Sequence, residues 1–284
     1  MTVIDMDHLK QWVGRKMSAT DTLAKAQAER LALTLDYARS PRHGDPLPAL
    51  WHWIYFTPGA RQSELGADGH PKLGGFLPPI PLPRRMWAGG RLTFHALLRV
   101  GETVTRETEI LSLTEKHGKQ GALIFLTLRH SLSNDGGLAI EEEQDIVYRE
   151  PSITRQPAPA IGALAEARWR DAFEPGPTLL FRYSAATFNA HRIHYDLPYA
   201  TGTEYYPGLV VQGPLTATLL ADALIRHAGG PLASFSFRGQ APLFAGHTMR
   251  VCGEPNGETG GYRLWAEGPG GYIAMFATAQ TAQG

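Results

Sequence analysis

The densest group of reactive side chains lies in one eight-residue stretch, Asn189-Ala-His-Arg-Ile-His-Tyr-Asp196. The second histidine of the stretch, His194, carries an imidazole, a group that titrates near neutral pH. Such a group can deprotonate water in one direction of a reaction and protonate a leaving hydroxyl in the other. We therefore interpret His194 as a catalytic acid and base. The alternative is a structural histidine at the end of a strand.

A glycine at the start of an apolar, helix-forming run follows this stretch. In Gln212-Gly-Pro-Leu-Thr-Ala, Gly213 precedes Pro214, and proline is favoured in the first turn of a helix. A helix start presents unpaired N–H groups, and glycine lets a ligand approach the backbone. The N–H of Gly213 therefore fits an oxyanion hole for a thioester carbonyl, and Gln212 is predicted to contact the substrate. A plain helix start is the alternative.

The other polar residues of the stretch each have two open interpretations. Asn189 either caps the turn before His194 or orients a water molecule through its amide. Asp196 either orients an imidazole or forms a surface salt bridge. His191 fits a loop cap or a secondary catalytic role. Arg192 either binds a phosphate or carboxylate of the substrate or forms an ordinary surface pair.

The stretch resembles the active-site motif of the hydratase 2 and MaoC-like enzymes, which has the form Asp-x-Asn-Pro-(Ile/Leu/Val)-His. Ile193 and His194 match the last two positions. Asn189 stands at the acidic position, His191 at the asparagine and Arg192 at the proline. Because an amide cannot accept a catalytic proton at neutral pH, this variant of the motif predicts that His194 acts nearly alone as the base.

A broader similarity covers most of the chain. Phe188 to Asp196 resembles a divergent branch of that family, which contains mesaconyl-C4-CoA and itaconyl-CoA hydratases and the type 2 hydroxyacyl-thioester dehydratases. Arg85-Met-Trp-Ala-Gly-Gly-Arg91 in the first half also has a counterpart in that branch. The resemblance implies an α+β double hot-dog fold, with two curved antiparallel sheets that each surround a helix. It also implies a homodimer and one site at the seam between the halves.

The function that the resemblance implies is reversible hydration of an enoyl-CoA thioester. The branch points to mesaconyl-C4-CoA or itaconyl-CoA as substrate and citramalyl-CoA as product. Three alternatives stay open: a 3-hydroxyacyl-thioester dehydratase of fatty-acid metabolism, an acyl-CoA thioesterase, and a non-catalytic acyl-CoA binding module. The sequence has no Walker or Rossmann glycine motif, no metal-ligand cluster and no Gly-x-Ser-x-Gly elbow. We therefore expect no metal and no cofactor apart from the coenzyme A of the substrate.

Three residues after a proline-rich run are candidates for binding that substrate. Arg84, Arg85 and Trp87 follow Phe76-Leu-Pro-Pro-Ile-Pro-Leu-Pro83. Two guanidinium groups beside an aromatic ring suit the phosphates and adenine of coenzyme A. The alternative is an ordinary loop that has no role in binding. The same arginines, after Arg192, are candidates for a cation that pairs with a free carboxylate on the acyl group.

The first half, residues 1–150, is predicted to begin with helices and to end in an antiparallel meander. Helical spacing covers Asp7 to Arg15 and Ala19 to Ala38. Proline, glycine and aromatic residues between Pro41 and Pro83 indicate a short aromatic segment and a long ordered loop. Strands are predicted from Gly90 to Val100, Glu102 to His117, Gly121 to Ser133 and Leu138 to Tyr148.

The second half repeats this order of elements after a proline- and alanine-rich linker at residues 151–167. Residues 168–284 are predicted to contain a strand from Thr178 to Ser184 and a helix from Thr216 to His227. Four strands follow, from Ser234 to Arg238, Thr248 to Glu254, Gly261 to Glu267 and Tyr272 to Thr281. Only this half carries the stretch of reactive side chains from Asn189 to Asp196, the polar motif.

The composition excludes several classes of partner. Lysine and arginine number 27, equal to aspartate and glutamate, so there is no net basic charge for nucleic acid or an acidic membrane. The sequence shows no apolar run of membrane-spanning length and no secretory signal. Cys252 is the only cysteine, which excludes an internal disulfide and fits a reducing compartment. We therefore expect a cytoplasmic protein.

Overall fold

An antiparallel sheet of ten strands runs through the computed structural model, which describes residues 4–57, 59–118, 121–151 and 166–282. The order across the sheet is β1-β3-β4-β5-β2-β7-β10-β9-β8-β6. The strands of the first half are β1 (Lys16–Thr22), β2 (Arg84–Phe94), β3 (Thr103–Gly118), β4 (Gly121–Asn134) and β5 (Gly137–Arg149). Those of the second half are β6 (Trp169–Phe173), β7 (Leu232–Gly239), β8 (Met249–Pro255), β9 (Gly261–Glu267) and β10 (Ile273–Thr281).

Five α-helices of the described residues pack on this sheet or beside it: α1 (Met6–Lys10), α2 (Lys25–Thr34), α3 (Pro177–Ala186), α4 (Leu197–Gly202) and α5 (Gly213–Ala228). Short 3₁₀ helices lie at Trp51–Ile54, Gln62–Glu64, Arg192–His194 and Pro269–Gly271. The longest helix, α5, is buried on nearly every side from Leu215 to Leu224, because the second-half strands curve around it. It ends at Gly229, whose φ of 74° suits glycine. Within the described chain, none of the helices is both long and apolar enough to span a membrane.

The two halves join where β2 pairs with β7. Gly89 and Gly90 of β2 lie opposite Arg238 and Phe237 of β7. At this seam the strands approach so closely that a Cβ on Gly89 would lie 2.6 Å from the Phe237 carbonyl oxygen. The seam therefore makes one continuous sheet out of two units, each with its own antiparallel meander.

Most predicted strands are confirmed. β3, β4 and β5 match the predicted ranges within a few residues, as do β7, β8, β9 and β10. Strand β2 spans Arg84–Phe94 and not the predicted range from Gly90 to Val100, so the two arginines that were expected on a loop lie on a strand. The helix predicted from Thr216 is α5, which begins three residues earlier, at Gly213. The segment from Pro41 to Pro83 has no strand among its described residues, as its prolines predict.

Three predictions are wrong. The strand predicted from Thr178 to Ser184 is helix α3, because Pro177 starts a helix and the buried Leu180, Tyr183 and Ser184 share one helical face. The helix predicted from residue 19 to 38 is split, since Lys16–Thr22 instead forms the edge strand β1 against β3 and only Lys25–Thr34 is helical. Helix α1 ends at Lys10, short of residue 15. Most of the predicted linker, residues 152–165, lies outside the described residues.

Two glycines at the seam provide a matched test of its packing. Gly89→Ala should lower the free energy of unfolding by about 1–3 kcal/mol, because the new methyl group would force apart the backbones of β2 and β7. Gly239→Ala is the control, since its Cβ would meet no atom closer than 3.5 Å. Urea unfolding followed by circular dichroism measures both. Equal stability of the two variants would contradict the close approach at Gly89.

Candidate active site

A cavity of about 1630 Å³ opens at the seam and is lined by both halves of the chain. The second half contributes Asn189, His194 and Gly213, which the sequence predicts to be catalytic. The first half contributes His70 and Arg85. The predicted catalytic residues thus share one cavity, and its other wall comes from the half that lacks the polar motif.

His194 is held as a neutral imidazole with a fixed tautomer. It ends the 3₁₀ helix Arg192–His194 and is buried, with 7% of its surface exposed. Nδ1 donates to the Val210 carbonyl oxygen at 2.7 Å, so Nε2 carries the lone pair. Burial lowers the pKa of His194 to about 3, with smaller contributions from His191 and His70. Nε2 has no hydrogen-bond partner within the described residues, so its lone pair is open to a donor.

The start of α5 has the arrangement that an oxyanion hole needs. Gly213 is the first residue of the helix, and no side chain caps it. In the part of the chain that the structure describes, no hydrogen bond uses the N–H of Gly213 or Leu215, and Pro214 has none to offer. Packing inside the protein does not require the glycine, since a Cβ there would come no closer than 3.9 Å to the Trp87 carbonyl oxygen. The missing side chain instead leaves room for a ligand beside the N–H groups and the positive end of the helix dipole.

Asn189 caps the turn that leads to the histidines. Its Oδ1 accepts from the His191 N–H at 3.0 Å, and its own N–H donates to the Ser184 carbonyl oxygen at 2.8 Å. Phe188, directly before it, has a φ of 51°, as a tight reversal after α3 requires. The capping alternative is therefore the one that the structure shows. Because Asn189 also lines the cavity, a contact of its Nδ2 with substrate stays a prediction.

Asp196 and Arg192 form a pair outside the cavity lining. Asp196 Oδ2 accepts from Arg192 Nε at 2.9 Å and from Nη2 at 2.7 Å, while its Oδ1 caps α4 through the Tyr199 N–H. Arg192 Nη1 donates to the Ala67 carbonyl oxygen at 3.0 Å. The structure thus contains the ion pair that the surface-pair alternative describes. Asp196 does not orient an imidazole. Arg192 ties the loop of residues 189–196, the histidine loop, to a loop of the first half.

Gln212 does not contact the cavity, which corrects its prediction as a substrate-binding residue. Its side chain is fully buried, and Nε2 donates to the Leu180 carbonyl oxygen at 2.8 Å and to Ser184 Oγ at 2.9 Å. These bonds fix the start of α5 against α3. Gln212 is therefore placed to position the start of α5, and its side chain lies outside the cavity lining.

The candidate coenzyme-binding residues differ in what they contact. Arg84 is buried, with its Nε 3.3 Å from Glu204 Oε2. Trp87 packs its ring edge-on against Trp53, with centroids 4.8 Å apart. Arg85 is half-buried in the cavity wall, and within the described residues it has no carboxylate partner. Of the three arginines predicted to bind a carboxylate, Arg85 is therefore the one that lines the cavity and forms no ion pair with the residues that the structure describes.

His191 lies between two other imidazoles and next to a carboxylate. Its ring centroid is 4.2 Å from that of His70 and 5.5 Å from that of His194. Its Nε2 is 3.9 Å from Glu204 Oε1. Burial alone would raise the pKa of Glu204, but the contacts with His191 and Arg84 hold that pKa below its usual value. Glu204 is thus an ionised carboxylate that contacts Arg84 and His191.

Sequence reasoning missed the pair Asp68 and His70. Asp68 Oδ2 lies 2.7 Å from His70 Nδ1, and burial lowers the pKa of His70 to about 4. Burial would raise the pKa of Asp68, but its hydrogen bond with His70 lowers it to about 2. The ligand atoms of Asp68, His70 and His191 lie within 4.8 Å of one another, a donor set that could hold a divalent metal. The one sequence signal was an Asp-Gly-His run inside a segment interpreted only as a loop.

Solved structures share the fold at low sequence identity. A MaoC-like dehydratase covers 97% of this chain and 100% of its own with a TM-score of 0.73 and 14% identity. A Mycobacterium tuberculosis protein described as having a double hotdog fold covers 96% of each chain with a TM-score of 0.61 and 15% identity. The predicted α+β double hot-dog fold is therefore confirmed.

Sequence comparison identifies the family. The mesaconyl-C(4)-CoA hydratase of Chloroflexus aurantiacus is 48% identical over 274 residues, which cover 95% of this chain and 96% of that protein. The family model for hydroxyacyl-thioester dehydratase type 2 matches residues 50–245, which include the histidine loop, the Asp68–His70 pair and the start of α5. The chain belongs to the type 2 hydroxyacyl-thioester dehydratase family, a group of hydro-lyases.

Proposed function

We propose that the protein adds water reversibly to the double bond of a branched dicarboxylic enoyl-CoA thioester, mesaconyl-C4-CoA or itaconyl-CoA, to give citramalyl-CoA. The observation that carries this proposal is that one cavity holds both a neutral imidazole with an open Nε2 and the uncapped start of α5. The 48% identity with a mesaconyl-C(4)-CoA hydratase supports the choice of acyl group.

The proposed chemistry uses His194 for proton transfer and Gly213 for charge stabilisation. The water oxygen bonds to the β-carbon while one water proton moves to His194 Nε2. In mesaconyl-C4-CoA the double bond is conjugated with the thioester, so its electron pair shifts onto the thioester and the enolate oxygen accepts from the Gly213 N–H. The double bond of itaconyl-CoA is not conjugated with the thioester, so this route applies to mesaconyl-C4-CoA. Protonated His194 then gives a proton to the α-carbon, which regenerates the neutral imidazole. Charge on the oxygen grows toward the transition state, so the fixed N–H donors stabilise that state more than the ground state.

Carboxylate placement favours hydration over thioester hydrolysis. A thioesterase of this fold usually activates water with a carboxylate. Glu204 lines the cavity, but it is engaged by Arg84 and lies beside His191. Asp68 is engaged by His70. The open proton acceptor is instead the imidazole of His194, which suits the reversible exchange of a proton with water and carbon.

Arg85 is the proposed partner of the free carboxylate on the acyl group. A carboxylate carried into a partly buried cavity needs a paired cation, because an uncompensated buried charge is costly. Arg192 lies outside the cavity lining and Arg84 is paired with Glu204, whereas Arg85 faces the cavity.

We also propose that the protein is a homodimer in the cytoplasm. Its single cysteine, Cys252, is buried and unpaired, in keeping with a reducing compartment.

Removal of the proposed base should abolish most of the hydration. His194→Ala should lower kcat on mesaconyl-C4-CoA by at least about 100-fold, the lower end of the usual contribution of general acid–base catalysis. Loss of enoyl absorbance measures the rate, and circular dichroism checks the fold. His194→Gln serves as a second variant, because a buried polar side chain can still bond to the Val210 carbonyl. A folded variant with full activity would remove His194 from the mechanism.

Substitution of Arg85 should lower activity on substrates that carry a second carboxylate more than on substrates that lack one. Arg85→Gln should reduce kcat/KM on mesaconyl-C4-CoA by about 30-fold or more, because loss of one partner of a buried charge pair costs at least about 2 kcal/mol. Activity on crotonyl-CoA, which has no second carboxylate, should change by less than about threefold. Lysine should substitute poorly, because it cannot bind a carboxylate in a bidentate manner.

Arg192→Gln is the matched control for Arg85, since Arg192 pairs with Asp196 outside the cavity lining. It should affect both substrates to the same extent. If Arg85→Gln also reduces both substrates equally, Arg85 binds the shared coenzyme A part. A neutral acyl chain, as in a fatty-acyl dehydratase, would then be the better substrate.

A further inference from the structure

A second imidazole with a fixed tautomer lines the cavity. His70 Nδ1 lies 2.7 Å from Asp68 Oδ2, and the backbone N–H of His70 donates to Asp68 Oδ1 at 3.0 Å. An ionised carboxylate only accepts hydrogen bonds, so Nδ1 carries the proton and Nε2 keeps its lone pair. His194 reaches the same state through the Val210 carbonyl. The two imidazoles that line the cavity from opposite halves therefore both present an acceptor nitrogen.

The loop that carries His70 packs directly against the histidine loop. The Arg192 N–H donates to the Asp68 carbonyl oxygen at 2.9 Å. Gly69 has a φ of 92°, and a Cβ on it would lie 1.8 Å from the Ala190 carbonyl oxygen, so only glycine allows this approach. The position of His70 relative to the catalytic histidine is therefore set by backbone contacts and does not depend on a flexible side chain.

Water addition requires more than one acceptor. A water molecule that attacks carbon through its oxygen lone pair has two O–H groups to be held. His194 Nε2 takes one of them in the proposed mechanism. In related enzymes an aspartate is expected at the position of Asn189, but Asn189 Oδ1 already accepts from the His191 N–H. Because this bond already uses one lone pair of Asn189 Oδ1, an uncommitted acceptor elsewhere in the cavity is better placed to hold the second O–H.

We propose that His70, oriented by Asp68, is this second acceptor and holds the other O–H of the nucleophilic water. This inference rests on the proposed hydratase function. His70 takes no proton in the step: the O–H that it holds becomes the hydroxyl of the product. In the reverse direction the same contact holds the β-hydroxyl while it leaves. The first half of the chain, which lacks the polar motif, thus supplies a catalytic residue to the site.

The test compares His70→Leu with His70→Gln in the full-length protein. Leucine has no acceptor, whereas the glutamine amide oxygen can reach a position close to that of Nε2. His70→Leu should lower kcat on mesaconyl-C4-CoA by about 100-fold with little change in KM, as expected for a misplaced nucleophile. His70→Gln should stay within about tenfold of the wild type. Asp68→Asn, which no longer enforces the tautomer, should lower kcat by at least about tenfold.

The control is His95→Leu, the same change at an exposed histidine, which should leave kcat unaltered. Thermal unfolding establishes that each variant is folded.

Full activity of folded His70→Leu would overturn the inference. Equal losses in His70→Leu and His70→Gln would also overturn it, because they would show that the ring itself is needed for proton transfer. Wild-type activity that EDTA abolishes and Zn²⁺ restores would also overturn it, since Asp68, His70 and His191 would then be metal ligands. Failure of the wild type to hydrate any enoyl-CoA would instead refute the proposed function.

Discussion

The hydrogen-bonded pairing of β2 with β7 is the constraint on which the site depends. It joins two antiparallel meanders into one sheet, and the glycine at position 89 lets the two strands approach closely. Gly213 at the start of α5 lies beside the Trp87 carbonyl of β2, so the helix end meets the first half at the seam. Residues from chain positions more than 100 apart therefore line one cavity.

Local hydrogen bonds then decide what the buried imidazoles can do. Desolvation keeps His194 and His70 neutral, and each is bonded through Nδ1 to an oxygen acceptor. A neutral ring with a fixed tautomer has one open lone pair, and its direction is set by the protein. Arg192 and Gln212 lie outside the cavity lining. They hold the histidine loop and the start of α5 in place.

The sequence predicts those parts of the site that depend on local pattern. Proline after Gly213 marks the helix start, and the spacing of Asn189 and His194 matches a known motif. Contacts between distant segments are not visible in that pattern. The Asp68–His70 pair becomes part of the site only because Gly69 meets the histidine loop about 120 residues along the chain. Helix α3 was missed because a short apolar run fits a buried strand and a helix equally well.

The reaction that we propose for this cavity adds water to carbon and leaves the thioester intact. The most direct measurement is the reaction of the wild-type protein with mesaconyl-C4-CoA in D₂O, with the product analysed by NMR and mass spectrometry. We expect an intact CoA thioester with a hydroxyl on the β-carbon and one deuterium on the α-carbon. Free coenzyme A thiol together with an unaltered double bond would contradict it, because the cavity would then catalyse attack on the carbonyl and not addition to the alkene.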